Sequence, residues 1–164
     1  MPKAPIQRHH IYGGAGNDRY WFLTLGWVSY YFAQLEWSSY AVIDRLGDAT
    51  DKSWATQQNF QPRTRRAAEL VKAQLAKFDP SLASEWATFW QKVIDAGPMR
   101  NKVLHNPLTV NLHGMQSVGD TEGIKLMKKP GAPLLELGEV QAYADELMSL
   151  NVLMLDLFDR TTFS

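Results

Sequence analysis

The sequence predicts a mainly all-α fold: a four- to five-helix bundle with a small β-hairpin inserted before the last helix. Three observations carry this. Apolar residues recur at alternating steps of three and four over long stretches, which is the period of one helix face. The spacing changes to strict alternation only after Pro107. A chain of 164 residues that is 45% hydrophobic and 21% charged has one domain's length and enough apolar surface to make a core.

Residues 1–17 are rich in Pro, His and Gly and read as a flexible N-terminal arm; residues 18–164 read as a single helical domain. The glycines of GGAGN are not followed by a dinucleotide or phosphate-loop fingerprint, and His9–His10 lacks a spaced partner ligand. Asp18 can cap the first helix. Leu25, Val28, Phe32, Leu35, Ser39, Val42 and Leu46 then form its stripe, and Gly47-Asp48 ends it. The same helix carries Trp21, Phe22, Trp27, Tyr30, Tyr31, Trp37 and Tyr40, more aromatic girth than one bundle core needs. Either this helix is central to a bundle or one face meets another subunit, and the protein is expected to be a homodimer.

Residues 48–62 read as a polar connection with room for one helical turn. A second helix is expected from Arg63 to Phe78, with Ala67, Leu70, Val71, Gln74, Leu75 and Phe78 inward. Asp79-Pro80 supplies an N-cap and an N1 proline for a third, running to about Asp95 with Leu82, Trp86, Phe89, Trp90 and Val93 inward. Ala96-Gly97 is expected to break it, and Pro98 to start a separate short helix, PMRNKVLHN, that Pro107 stops. LTVNLHG (108–114) and GIKLMKK (123–129) alternate on either side of a turn, hence the hairpin; Pro130-Gly131-Ala132-Pro133 is a loop. The last helix begins near Leu137-Gly138 and runs to about Arg160, with Val140, Tyr143, Leu147, Leu150, Met154 and Leu157 repeating on one face.

Charge and composition exclude several function classes. Lys+Arg and Asp+Glu are 17 each, so there is no globally basic coat and any nucleic-acid contact must use a local patch. The absence of cysteine excludes disulfide scaffolds, thiolate zinc sites, iron–sulfur clusters and cysteine nucleophiles. No secretory leader is recognisable, and charges such as Glu36, Asp44, Asp145 and Asp156 interrupt every apolar stretch before the roughly 20 residues a membrane span needs. A cytoplasmic protein without metal or cofactor, and without a membrane partner, is the expectation.

What remains for chemistry is Arg100-Asn101-Lys102-Val103-Leu104-His105-Asn106-Pro107. There is no H-E-x-x-H, no G-x-S-x-G and no carboxylate cluster with ligand spacing. Asn101 and His105 are four apart, so they share a helix face within hydrogen-bonding reach, and Arg100 is long enough to join them. That set suits phosphodiester chemistry without a metal. A histidine can take the proton of a ribose 2′-hydroxyl, and an arginine can stabilise charge growing on the phosphate. Asn101 can orient the ring or hold a phosphate oxygen. The plain alternative is Arg100 as an ion-pair partner and His105 as a helix cap. Glu36, Lys102 and Asn106 are secondary candidates. Arg63, Arg65 and Arg66, with Lys125, Lys128 and Lys129 on the hairpin, are the candidate RNA-binding residues.

Arg100-Asn101-Lys102-Val103-Leu104-His105 resembles the R-x4-6-H motif of HEPN-domain proteins, in which a polar residue commonly follows the arginine. The local likeness covers about eight residues; the helix layout extends it loosely over residues 18–160. The resemblance implies a helical bundle acting as a dimer, and in many Abi-like and toxin members a metal-independent ribonuclease. Here that means His105 as general base, Arg100 as transition-state stabiliser and Asn101 as positioning group. It implies RNA, and an antitoxin or another protein, as partners. The alternative function is a non-catalytic helical dimerisation domain that binds a partner protein or a nucleotide.

Overall fold

A computed structural model describes residues 17–105, 108–110, 124–127 and 134–161. The order of elements is α1 (Asn17–Leu46), α2 (Ala49–Ala55), α3 (Phe60–Leu75), α4 (Pro80–Leu104), β1 (Leu108–Val110), β2 (Ile124–Met127), β3 (Leu134–Leu135) and α5 (Leu137–Arg160). The fold is mainly α. α1 is the organising element, lying against α5, α3 and α4, while α3 and α5 each also pack on α4. Residues 1–16 of the arm expected at 1–17, the turn at 114–123 and the loop at 130–133 lie outside the described residues, while Asn17 already belongs to α1.

The helical stripes become the core. Val28, Phe32, Leu35 and Val42 of α1 meet Trp86, Phe89, Trp90 and Val93 of α4 and Val140, Leu147, Met154 and Leu157 of α5 in one buried cluster. Trp86 packs edge-on to Phe89 and Phe158 and stacks on Trp90, so aromatic rings fill the α4–α5 seam. Its indole Nε1 donates to Thr161 Oγ1 at 2.9 Å, which fixes the end of α5. Asn151 Nδ2 donates to the Tyr31 carbonyl at 3.0 Å and so clamps α5 to α1 by a buried side chain.

Gly47 makes the tight turn into α2. A Cβ there would lie 2.6 Å from the Ile43 carbonyl oxygen and 2.8 Å from Asp51 Cβ, so only glycine fits. Asp48 then caps α2, accepting from the Asp51 N–H at 2.9 Å, while Asp51 Oδ2 accepts from the Asp48 N–H at 3.4 Å.

The elements differ from expectation at several places. α2 makes two turns within the stretch read as a connection, because this capping box nucleates it. α3 begins at Phe60, three residues early, and ends at Leu75; Phe78, expected inward, is 81% exposed because the helical frame that would have turned it inward has stopped. α4 is continuous through Gly97 and Pro98, with no break and no separate short helix. Proline removes one helical hydrogen bond and crowds the preceding turn. Here neighbours hold the segment helical from both sides. Tyr143 Oη donates to the Ala96 carbonyl at 2.8 Å, and buried Gly97 lies against the Phe60 ring.

After α4 the chain forms a three-stranded antiparallel sheet in the order β1-β2-β3. Leu108 opposes Leu126 and Val110 opposes Ile124; Leu126 in turn opposes Leu135. The third strand falls where the sequence suggested only the approach to the last helix.

Candidate functional site

The last turn of α4 gathers three of the expected residues. His105 is the C-cap, with φ −102° and ψ 4°, and its N–H donates to the Asn101 carbonyl at 3.3 Å. Arg100 Nη1 donates to Asn101 Oδ1 at 3.1 Å and meets His105 Nε2 at 3.0 Å. A guanidinium has donors only, so this contact is a hydrogen bond in the tautomer whose Nε2 accepts. The spacing suggested a direct Asn101–His105 bond; instead Arg100 bridges the two. His105 is exposed, whereas Arg100 is half-buried. The Arg100 Nε is buried with no hydrogen-bond partner among the described residues, and its guanidinium carbon sits 5.2 Å from the Phe32 ring centre.

Arg100 and Asn101 also line a cavity of about 590 Å³, a volume suited to a small organic ligand. α1 supplies Phe32, Glu36 and Tyr40 to its wall, and the start of α3 supplies Asn59, Phe60 and Gln61. Phe60 and Phe32 meet at 4.6 Å between ring centres. Asn59 occupies the N-cap position of α3, yet its side chain makes no capping bond. His105 is not among the lining residues and reaches the cavity only through Arg100.

Arg63 corrects an expectation. It is 1% exposed and cannot present itself to RNA. Its Nε donates to Ser39 Oγ at 2.9 Å, Nη1 to Tyr40 Oη at 2.7 Å and to the Gln58 carbonyl at 2.9 Å, and Nη2 to Glu36 Oε1 at 2.6 Å. The guanidinium also lies 3.7 Å from the Tyr40 ring centre. A buried arginine needs this many acceptors because desolvating its charge is costly. Glu36, a secondary candidate, is therefore held by Arg63, with its carboxylate in the cavity wall.

Of the other basic candidates, Arg66 is tied to carboxylates of α2 and α3, to Asp51 at 2.7 Å and Glu69 at 3.1 Å, and its guanidinium holds the Asp51 carboxyl below its usual range. Arg65 and Lys102 are exposed. Lys125 is placed on β2 opposite Thr109, while Asn106, Lys128 and Lys129 lie outside the described residues. Among the described residues no group of three or more His, Asp or Glu is placed to hold a metal.

Sequence reasoning missed the far wall of the cavity. Gln58, Asn59, Phe60 and Gln61 read as linker, although three side-chain amides around one aromatic were a signal of polar recognition. Also on the surface is an apolar face. Leu23, Trp27, Tyr30 and Trp37 of α1 are 47–61% exposed, and Met148, Val152 and Leu155 of α5 are 43–64% exposed. The Asn151–Tyr31 bond sets these two helices side by side.

Among the described residues no helix is long and apolar enough to cross a membrane. Compared with protein-family models, with curated proteins and with solved structures, the chain matches none.

Proposed function

We propose that the protein is a HEPN-like, metal-independent endoribonuclease of the cytoplasm, of the toxin, defence or RNA-processing type. The observation that carries this reading is Arg100 bridging Asn101 and His105 at an exposed helix end. His105 is exposed at the helix end, and its imidazole can take a 2′-hydroxyl proton once Arg100 shifts from Nε2 to the phosphate. Arg100 stands 3.0 Å from that nitrogen, so the phosphate next to the 2′-hydroxyl that His105 activates comes within reach of the guanidinium as its charge grows. Asn101 fixes the arginine. Attack of the 2′-oxygen on phosphorus then expels the 5′-oxygen, which takes up a proton, and leaves a 2′,3′-cyclic phosphate without a metal.

The test is cleavage of single-stranded RNA in EDTA by wild type and His105→Ala. Cleavage by wild type that the variant loses while keeping its melting temperature supports the reading; a requirement for magnesium, or full activity in the variant, defeats it.

A homodimer fits the same reading, and the exposed rows on α1 and α5 support it, since isolated monomers rarely leave so many large apolar side chains on two packed helices in water. An antitoxin-type protein is the alternative cover. The second functional reading, a dimerisation domain that binds without catalysis, draws its support from that same face.

A further inference from the structure

We infer that the cavity between α1, α4 and the start of α3 is a guanine-binding pocket, with Glu36 as the group that selects the base. The inference deepens the ribonuclease reading by naming what that site recognises, but it does not depend on turnover.

Glu36 Oε1 accepts from the buried Arg63 at 2.6 Å, and no second partner is bound to the carboxylate among the described residues. Arg63 is itself fixed by Ser39, Tyr40 and the Gln58 carbonyl, so the carboxylate is held in place before any ligand arrives. A carboxylate so placed asks for donors. Among the four RNA bases only guanine presents two adjacent donors, N1–H and the 2-amino group, on its Watson–Crick edge. Adenine and cytosine set a ring acceptor beside their amino group, and uracil flanks its one N–H with two carbonyls. Each of those would turn an acceptor toward Glu36 and lose affinity through an unpaired, repelled polar atom.

The rest of the wall fits the same ligand. Phe60, half-buried in the wall, offers the aromatic surface on which an unstacked base is held, with Phe32 buried behind it at 4.6 Å between ring centres. The side-chain amides of Asn59 and Gln61 make no hydrogen bonds to other described residues and are donors for the O6 acceptor. Arg100, with its unpartnered buried Nε, lines the cavity and also contacts His105, so it would be the group to meet a phosphate joined to the base.

The chemistry is shared by a guanylate residue in RNA and by a free guanine nucleotide. The experiment is calorimetric titration of the wild-type protein in EDTA with GMP, IMP, AMP, CMP and UMP, and with octauridylate with and without a single internal guanine. GMP is expected to bind about tenfold or more tighter than AMP, CMP or UMP. IMP, which lacks only the 2-amino group, should lose about tenfold against GMP. Guanine-containing RNA binding more tightly than GMP assigns the pocket to RNA; the reverse assigns it to the mononucleotide. Equal binding of all four nucleotides, no binding of any, or IMP matching GMP overturns the proposal. The nucleotide comparison uses unaltered protein, so a poorly folding Glu36 variant cannot obscure it. Guanine selectivity without RNA cleavage would overturn the ribonuclease reading alone, and cleavage without any guanine preference in binding would overturn the pocket alone.

Discussion

Arg63 and Glu36 are joined at 2.6 Å by an ion pair whose members stand in different surroundings: the arginine side chain is 2% exposed and the glutamate 36%. The asymmetry decides which loss matters more. Removing Glu36 leaves a buried cation with three remaining acceptors and some access to water through the vacated wall. Removing Arg63 strips the bonds from Ser39, Tyr40 and Gln58 together and opens a void between α1 and α3. Glu36→Ala should cost about 2 kcal/mol and Arg63→Ala about 4 kcal/mol, since breaking a fully buried pair costs several and water moderates the half-exposed side. Urea unfolding of the two variants measures this; equal losses, or a larger one for Glu36, would show that the pair is not organised around the buried arginine.

The α2–α3 contact makes stability depend on acid. The Arg66 guanidinium bonds Asp51 and holds its carboxyl below the ordinary value of 3.8. Arg160 does the same for Glu85, below 4.5. A carboxyl with a depressed value in the folded state adds stability that is fully present above the ordinary value and is lost as pH falls through the folded one. The melting temperature should therefore hold from neutrality to about pH 5 and drop below about pH 4. Asp51→Asn should start lower at pH 7 and drop less between pH 5 and pH 3. Parallel curves for variant and wild type would remove Asp51 from the acid response.

The core residues of α4 and α5 were legible because period and burial agree: Leu82, Trp86, Phe89, Trp90 and Val93, and the stripe from Val140 to Leu157, are all buried. The Asp79 cap was legible too, its carboxylate accepting from the Leu82 N–H at 2.9 Å. What failed was non-local. Gly97-Pro98 is a stop by every local rule, and only Tyr143, 47 residues away from Ala96, and Phe60 keep the helix running. Arg63 reads as a solvated charge because its carboxylate partner lies 27 residues earlier. The Arg100–Asn101–His105 set was legible because it is local to one helical turn. The cavity beside it was not, since its walls come from three separate segments.

The apolar face of α1 and α5 gives a prediction about assembly. Val152 and Leu155 are each 64% exposed, so placing a carboxylate at either should change the stability of the isolated subunit by about 0.5 kcal/mol or less. In a homodimer joined through this face the same charge would be desolvated against a second copy. Sedimentation at micromolar concentration should find wild type as a dimer, and Val152→Asp/Leu155→Asp as a monomer with a nearly unchanged melting temperature. A monomeric wild type would sink the idea, and so would a dimeric double variant.

Arg100→Lys separates the functional readings most sharply. Arg100 uses one nitrogen to touch both Asn101 and His105 while its flat guanidinium faces Phe32. Lysine keeps the charge but is shorter at its tip, has no planar fork and cannot hold both contacts with a fixed orientation. If the guanidinium meets charge that grows in the transition state, turnover should fall about tenfold or more while RNA affinity changes by less than about threefold, because the lost interaction belongs to the transition state and not to the bound substrate. If the domain only binds, lysine should weaken RNA or nucleotide affinity modestly, and neither form should turn over. If Arg100 merely ties the end of α4, the variant should show a shift of a few tenths of a kcal/mol in stability and nothing else. Cleavage rate, affinity and melting temperature on this one variant give three distinct outcomes, and an unchanged cleavage rate in an active protein would remove Arg100 from the catalytic set.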